Sequence, residues 1–199
     1  MRARYGGRAM LVLGIAVAAA LLIPLVTHGS YKRLFDTKLH WTGLLVVSLA
    51  IQLGLDFYTL PHRYWDNLGY GLLVGSYVLL LAFIARNVVL RGMSIVLIGI
   101  LCNAIVIVLN QGMPVKVPPE WKNESWAEAS ITHHPREGDE KLVVLSDIII
   151  VRGPVHNVLS FGDLILAIGL CDVSYNASRD PRRGKRKAQR KVARMAARS

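Results

Sequence analysis

Residues 88–109 read VVLRGMSIVLIGILCNAIVIVL, twenty-two positions with a single charged side chain, Arg91, close to the start. At a rise of about 1.5 Å per residue this stretch makes a helix roughly 33 Å long. That is enough to cross a bilayer hydrocarbon core of about 30 Å. Working outward, residues 68–85 (LGYGLLVGSYVLLLAFIA) and 9–26 carry no charge, and residues 41–60 carry only Asp56. The whole chain is 53% apolar and 19% charged, with mean hydropathy +0.38. An ordinary soluble domain is about 45–50% apolar and about 25% charged. The averages differ modestly, and the segregation into runs decides the class. It excludes a soluble enzyme and a disordered chain.

The expected fold is an all-α, polytopic membrane helix bundle of about five transmembrane helices, with a short re-entrant or interfacial segment before the last. Residues 1–175 form the transmembrane domain, with spans at about 9–26, 41–60, 68–85, 88–109 and 155–175. Residues 110–141 form an extramembrane loop with four Lys/Arg and six acids. Residues 142–151 (LVVLSDIIIV) are apolar and rich in β-branched side chains. As a helix they reach only roughly 15 Å, so they are read as re-entrant, interfacial or a strand-like cover. The first run follows Arg2, Arg4 and Arg8. It is read as a span rather than a signal peptide, because no A-x-A cleavage pattern follows it.

Charge sets the expected topology. The tail, residues 176–199, holds ten Lys/Arg and one acid of a chain whose net charge is +11. A cytoplasmic tail follows from the positive-inside rule. Basic loops 28–40 and 86–92 then lie inside, and the acidic loop 110–141 and the N-terminus lie outside. Arg2, Arg4 and Arg8 oppose that placement of the N-terminus, and translation from Met10 removes the conflict. The expected location is a bacterial cell membrane. Membrane lipid is the expected partner, through Arg182, Arg183, Lys185, Arg186, Lys187, Arg190 and Lys191. A protein partner or a second copy is a further candidate, and nucleic acid is not expected. Ala188, Val192, Met195 and Ala196 add a faint amphipathic stripe to the tail.

Several smaller patterns bear on packing. Gly71 and Gly75 have the G-x-x-x-G spacing that permits close helix approach. Gly92, Gly99 and Asn103 fall near one helix face and mark a packing seam, and Gln52 and Asp56 share another face. Cys102 and Cys171 sit in apolar runs and are read as small buried hydrophobes. The adjacent His133 and His134 are read as a solvated pair, so no metal is expected and no cofactor is implied. There is no phosphate-binding G-x-x-x-x-G-K-[ST] and no dinucleotide fingerprint.

The polar groups of the second half carry the functional reading, because each polar side chain at membrane depth needs a partner or a task. Ser160-x-x-Asp163 ahead of an apolar run is a capping-box pattern, and it makes the last helix begin at residue 161. Asn110-x-Gly112-x-Pro114 is a helix stop, with Met113 expected to tuck back into the core. Asp147 interrupts its apolar run with no cap to explain it. It is expected either to pair with Arg152, His156 or Asn157, or to face Asp163 across a small cavity and share a proton with it. The candidate polar site is therefore Asn110, Gly112, Asp147, Asn157, Ser160 and Asp163, with no catalytic residue assigned.

At Gln52, Asn103, Asn110-x-Gly112-Met113-Pro114, Leu145-x-Asp147, Asn157 and Ser160-x-Gly162-Asp163, with the apolar run to Gly169, the sequence resembles an uncharacterised bacterial membrane protein family. That family, common in actinobacteria and firmicutes, is catalogued only as a domain of unknown function. The resemblance covers most of residues 10–175. It implies a membrane location and a shared fold and brings no activity with it. A much fainter likeness, to lipoprotein signal peptidase, rests on the two aspartates. Asn157 and Asp163 are six apart where that family has three, and Ile148 stands where it has Arg. Three functions follow in order: binding or moving a small polar or ionic solute near the last span, a structural or accessory membrane subunit, and an intramembrane aspartic hydrolase. An enzyme is not the favoured reading.

Overall fold

The computed structural model describes residues 6–57, 65–121, 131–152 and 157–179. Among them are six α-helices: α1 (Gly6–Val26), α2 (Tyr31–Phe35), α3 (Thr42–Phe57), α4 (Tyr70–Arg86), α5 (Met93–Asn110) and α6 (Phe161–Ala177). Four three-residue strands lie between α5 and α6: β1 (Met113–Val115), β2 (His133–Pro135), β3 (Ile149–Val151) and β4 (Asn157–Leu159). The protein is thus mostly helical rather than all-α. The described residues between Met113 and Leu159 build a small β cap, where the sequence suggests a loop and a short re-entrant, interfacial or strand-like segment.

The five long helices run alternately up and down and close a ring. α6 packs between α1 and α5, α5 continues to α4, α4 to α3, and α3 meets α1 over the smallest contact of the five. Hydrogen bonds mark the neighbouring pairs, of which α1 and α6 run parallel, their C-terminal ends joined by the Ser30 N–H donating to the Ser178 carbonyl at 2.9 Å. The Ser174 hydroxyl donates to the Ala20 carbonyl at 2.6 Å, tying α6 to α1. The Tyr70 hydroxyl donates to the Val108 carbonyl at 3.1 Å, tying the start of α4 to the end of α5. At the other end, the Asn87 amide donates to the carbonyls of His40 and Phe83, both at 2.8 Å. Its Oδ1 accepts from the His40 N–H at 2.8 Å. Asn87 therefore holds the 86–92 turn against the segment that leads into α3.

The α5–α6 seam is the tightest in the molecule, and glycine makes it so. A Cβ at Gly99 would lie 2.7 Å from the Leu166 nitrogen, and one at Gly169 would lie 2.6 Å from the Val96 nitrogen. A Cβ at Gly162 would collide with the Asn103 side chain. Gly92 begins α5 with φ at +89°, which glycine alone adopts without cost, and it rests against the Val173 backbone. The seam expected from Gly92, Gly99 and Asn103 is present, with Gly162 and Gly169 as its unforeseen counterparts. Gly71 and Gly75 make no such approach: a Cβ on either would meet nothing within 4 Å. Cys102 and Cys171 are free thiols, half-buried rather than fully enclosed.

Two helical segments, Asn67–Arg86 and Met93–Asn110, are long and apolar enough to cross a membrane. The described parts of α1 and α3, Val12–Val26 and Thr42–Leu55, are apolar but shorter. The outer surface of the ring is apolar, with Leu22, Val46, Val78, Ile98 and Ile168 all exposed. Its interior holds polar side chains, among them Ser48, Ser76, Asn103 and Ser174.

Candidate functional site

The site is assembled where α5 stops and α6 begins. Asn110 ends α5, and Gln111 takes the left-handed cap conformation at φ 56°. Asn110 does more than stop the helix. Its Nδ2 donates to the Val106 carbonyl at 2.9 Å and the Lys141 carbonyl at 3.0 Å, and its Oδ1 accepts from the Lys141 N–H at 2.8 Å. One side chain thus anchors the far end of the long loop. Gly112 follows with φ 150°, and its Cβ position is filled by the His134 ring. His134 Nε2 lies 3.2 Å from the Asn110 carbonyl. Met113 does tuck inward, at 3% exposure, against Leu73, Val106 and Ile107.

β1 is flanked on both edges. On one side it pairs in parallel with β2, placing Met113 opposite His133. On the other it bridges to Asp147, whose N–H donates to the Pro114 carbonyl at 3.1 Å and whose carbonyl accepts from the Lys116 N–H at 2.8 Å. Segment 142–151 is a single 3-10 turn, Val143–Leu145, followed by β3. β3 pairs antiparallel with β4, Ile149 opposite Leu159. Of the roles open to this segment, the strand-like cover is the one adopted.

Ser160 and Asp163 form the capping box. The Ser160 Oγ accepts from the Asp163 N–H at 2.9 Å, and Asp163 Oδ2 accepts from the Ser160 N–H at 3.0 Å. The second carboxylate oxygen, Oδ1, accepts from Asn103 Nδ2 at 2.8 Å. The Ser160 hydroxyl donates to Asn103 Oδ1 at 3.0 Å. Asn103 therefore closes a four-bond ring with the first turn of α6. Gly162 is glycine because this amide occupies the space its Cβ would need.

Asp147 is 5% exposed and in the cap, outside the helices. Of the arrangements expected of it, the pairing with Arg152 is not present, and Asp147 and Asp163 line one cavity. Arg152 reaches Glu120 instead, at 3.3 Å, and His156 lies outside the described residues. Among the described residues, the basic side chain that approaches it is His133, its Nε2 3.8 Å from Asp147 Oδ2. That distance is beyond a hydrogen bond. The two histidines are accordingly not a solvated pair. Both are half-buried, His133 turned to Asp147 and to the Thr132 hydroxyl at 2.9 Å, His134 covering Gly112. Burial pushes the Asp147 carboxyl well above the usual carboxylate range, and the charge of Asp163 pushes it further.

Inside the helix ring runs a cavity of about 390 Å³. Its wall extends from Met93 and Val173, near the basic end, to Asp147 and His133 under the cap. Leu80, Phe83, Val96, Ile100, Leu166 and Leu170 make the shaft apolar. Gln52, Asn103, Thr132, His133, Asp147, Asn157 and Asp163 make its head polar. Gln52 is itself held by Ser76 at 3.2 Å. Of the six candidate residues, Asp147, Asn157 and Asp163 line the cavity. Ser160 orients Asp163 from behind, and Asn110 and Gly112 shape the cap. Gln52, Asn103, Thr132 and His133 are members that the sequence reading did not place in the site. The parallel β1–β2 pairing that brings the last two in carries no local signal. Among the described residues no group of three or more metal-ligating side chains occurs. The tail residues Arg182, Arg183, Lys185, Arg186, Lys187, Arg190 and Lys191 lie outside the described residues.

Residues 36–173 match a family described as Family of unknown function (DUF5317), and no second family is seen. No curated protein and no solved structure matches the chain.

Proposed function

The chain belongs to the DUF5317 family, a family of unknown function, and on that footing we propose that it is a five-span membrane protein that holds a small ligand inside its helix ring. The observation that carries the ligand-binding reading is the cavity of about 390 Å³ with its polar groups gathered at one end. Pockets that hold small ligands have volumes of about 300–1,000 Å³ and are apolar apart from a few convergent polar groups.

The membrane reading is supported by the distribution of polarity. A water-soluble bundle turns most of its large apolar side chains inward. Here many stay exposed on the outer face, Val46, Val78 and Ile168 among them, while Ser48, Ser76 and Asn103 are enclosed beside the apolar core. α1, α3 and α6 complete the five spans beside the two that pass by length alone. α6 begins below the cap, so residues 142–159 make up the thickness that its 17 residues leave uncovered. Lys32, Arg33, Lys38, Arg86, Arg91 and Arg179 gather at the end opposite the cap. That end is the cytoplasmic one by the positive-inside rule, the cap faces outward, and the basic tail lies where anionic lipid attracts it by about 1 kcal/mol per residue.

Two measurements test this. The protein is expected to stay in the membrane pellet through alkaline washing and to leave it only with detergent; release into buffer alone overturns the membrane reading. Asp147→Asn and Asp163→Asn are then compared in detergent melting and in complementation of a deletion strain. Loss of complementation at wild-type stability supports a ligand site. Full complementation by both variants removes it.

A further inference from the structure

The cavity is a narrow shaft with a head of one charge type. Its wall follows α5 from Met93 to Ile107, which is about 21 Å at 1.5 Å per residue. A volume of about 390 Å³ along that length lies at the small end of the range that holds small ligands, about 300–1,000 Å³, and suits one slender molecule. Among the described residues no Lys or Arg lines it. The head presents the carboxylates of Asp147 and Asp163 beside the neutral polar side chains of Gln52, Asn103, Thr132 and Asn157 and the His133 ring. Asp163 is already engaged, bonded to the Ser160 N–H and to Asn103. Asp147 is not. It is 5% exposed, lines the cavity, and its carboxylate accepts no hydrogen bond from the described residues; His133 Nε2 stands off at 3.8 Å.

A buried carboxylate without a donor is costly: it takes up a proton or is satisfied by a cation brought to it in the proton's place. We propose that the cavity takes a single-chain amphiphile whose head is a cationic, N–H-donating amine, the chain lying between α4, α5 and α6 and the nitrogen reaching Asp147 below the cap. This rests on the ligand-binding reading of the same cavity and specifies its chemistry. An anionic head of the same size is rejected, because it would bring like charge against Asp147 and Asp163 with no Lys or Arg among the described residues to offset it. A neutral alcohol gains the shaft and loses the charge pairing. The titratable groups facing Asp147 are Asp163 from α6 and His133 from β2, with Tyr77 of α4 elsewhere on the wall. Protonating Asp147, Asp163 or His133 removes negative or adds positive charge at the head. All three therefore weaken the binding of an amine as pH falls.

The test uses the full chain in lipid nanodiscs, titrated calorimetrically with dodecylammonium, dodecanol and dodecanoate below their micelle concentrations, with empty nanodiscs subtracted. Dodecylammonium is expected to bind saturably, one per chain. It should bind at least tenfold more tightly than dodecanol, and dodecanoate should not bind. Asp147→Asn should cost dodecylammonium tenfold or more and leave dodecanol unchanged. Where that variant does not fold, the wild type between pH 8 and pH 5 supplies the same contrast, dodecylammonium weakening and dodecanol holding. Equal binding of the amine and the alcohol, insensitive to pH and to Asp147, overturns the cationic head and leaves the cavity reading standing. Absence of binding by all three overturns both.

Discussion

Gly162→Ala places one methyl group where the Asn103 amide now sits, and the consequences can be worked through bond by bond. Asn103 cannot keep its position, so the bonds from its Nδ2 to Asp163 Oδ1 and from the Ser160 hydroxyl to its Oδ1 are lost together. Interhelical hydrogen bonds within membranes average about 0.6 kcal/mol and reach about 1.7. Two of them account for about 1–3 kcal/mol, and a buried polar group left unsatisfied adds about 1–3 more. Alanine returns up to about 1 kcal/mol through its helix propensity. The expected net loss is about 1–5 kcal/mol. Reversible unfolding in mixed micelles, read by circular dichroism, measures it. Gly75→Ala is the matched control, since its Cβ meets nothing within 4 Å; it should be neutral or slightly stabilising. The pair also forms a cycle: in an Asn103→Ala background the amide is gone, and Gly162→Ala should cost at least 1 kcal/mol less than in wild type. If Gly162→Ala matches Gly75→Ala, or costs the same in both backgrounds, the account of the α5–α6 seam is wrong.

Folding raises the Asp147 carboxyl above its unfolded value, so the native state holds that proton more tightly and stability falls as pH climbs from about 4 toward the folded value, by at most about 1.4 kcal/mol per pH unit. Asp147→Asn should match wild type in acid and exceed it by an amount that grows through that window and then holds constant; parallel curves across the range would refute this. Ser48 is fully buried and its hydroxyl is unsatisfied among the described residues. Ser48→Ala is therefore expected to leave stability unchanged or raise it by up to about 1 kcal/mol, and a clear loss in the same unfolding assay would point to a partner for the hydroxyl. Asn110→Ala removes all three bonds to Val106 and Lys141. Amide hydrogen exchange at Lys141 should quicken at least tenfold, with α5 elsewhere unaffected.

The helices were legible because hydropathy runs are long-range in sequence but local in meaning: residues 68–85 and 88–109 announce α4 and α5 to within a few positions. The capping box was legible for the same reason, since Ser160 and Asp163 are three residues apart and need only each other. The β cap was not. Its pairings join Met113 to His133 and Pro114 to Asp147, across twenty and thirty-three residues, and each strand is too short to carry an alternating pattern. His133 reads as a solvent residue until β1 draws it under the roof. Asn103 reads as a packing residue because its partner in sequence terms is sixty positions away. The likeness of Gly71 and Gly75 to a contact motif misled because spacing says which residues share a face, not which face has a neighbour. The α5–α6 seam shows the reverse case, where only half of a true interface was visible in one helix.

The ring's five seams are unequal, and this has a mechanical consequence. α5 and α6 are bolted together by glycine contacts and by the Asn103 ring, and Ser174 adds α1 to that block. α3 is tied to α4 through Gln52 and Ser76, while α1 and α3 merely lean on one another. A barrel built this way yields along its weakest stave, so any sideways parting of the wall among the described residues falls between α1 and α3 and leaves the roof in place.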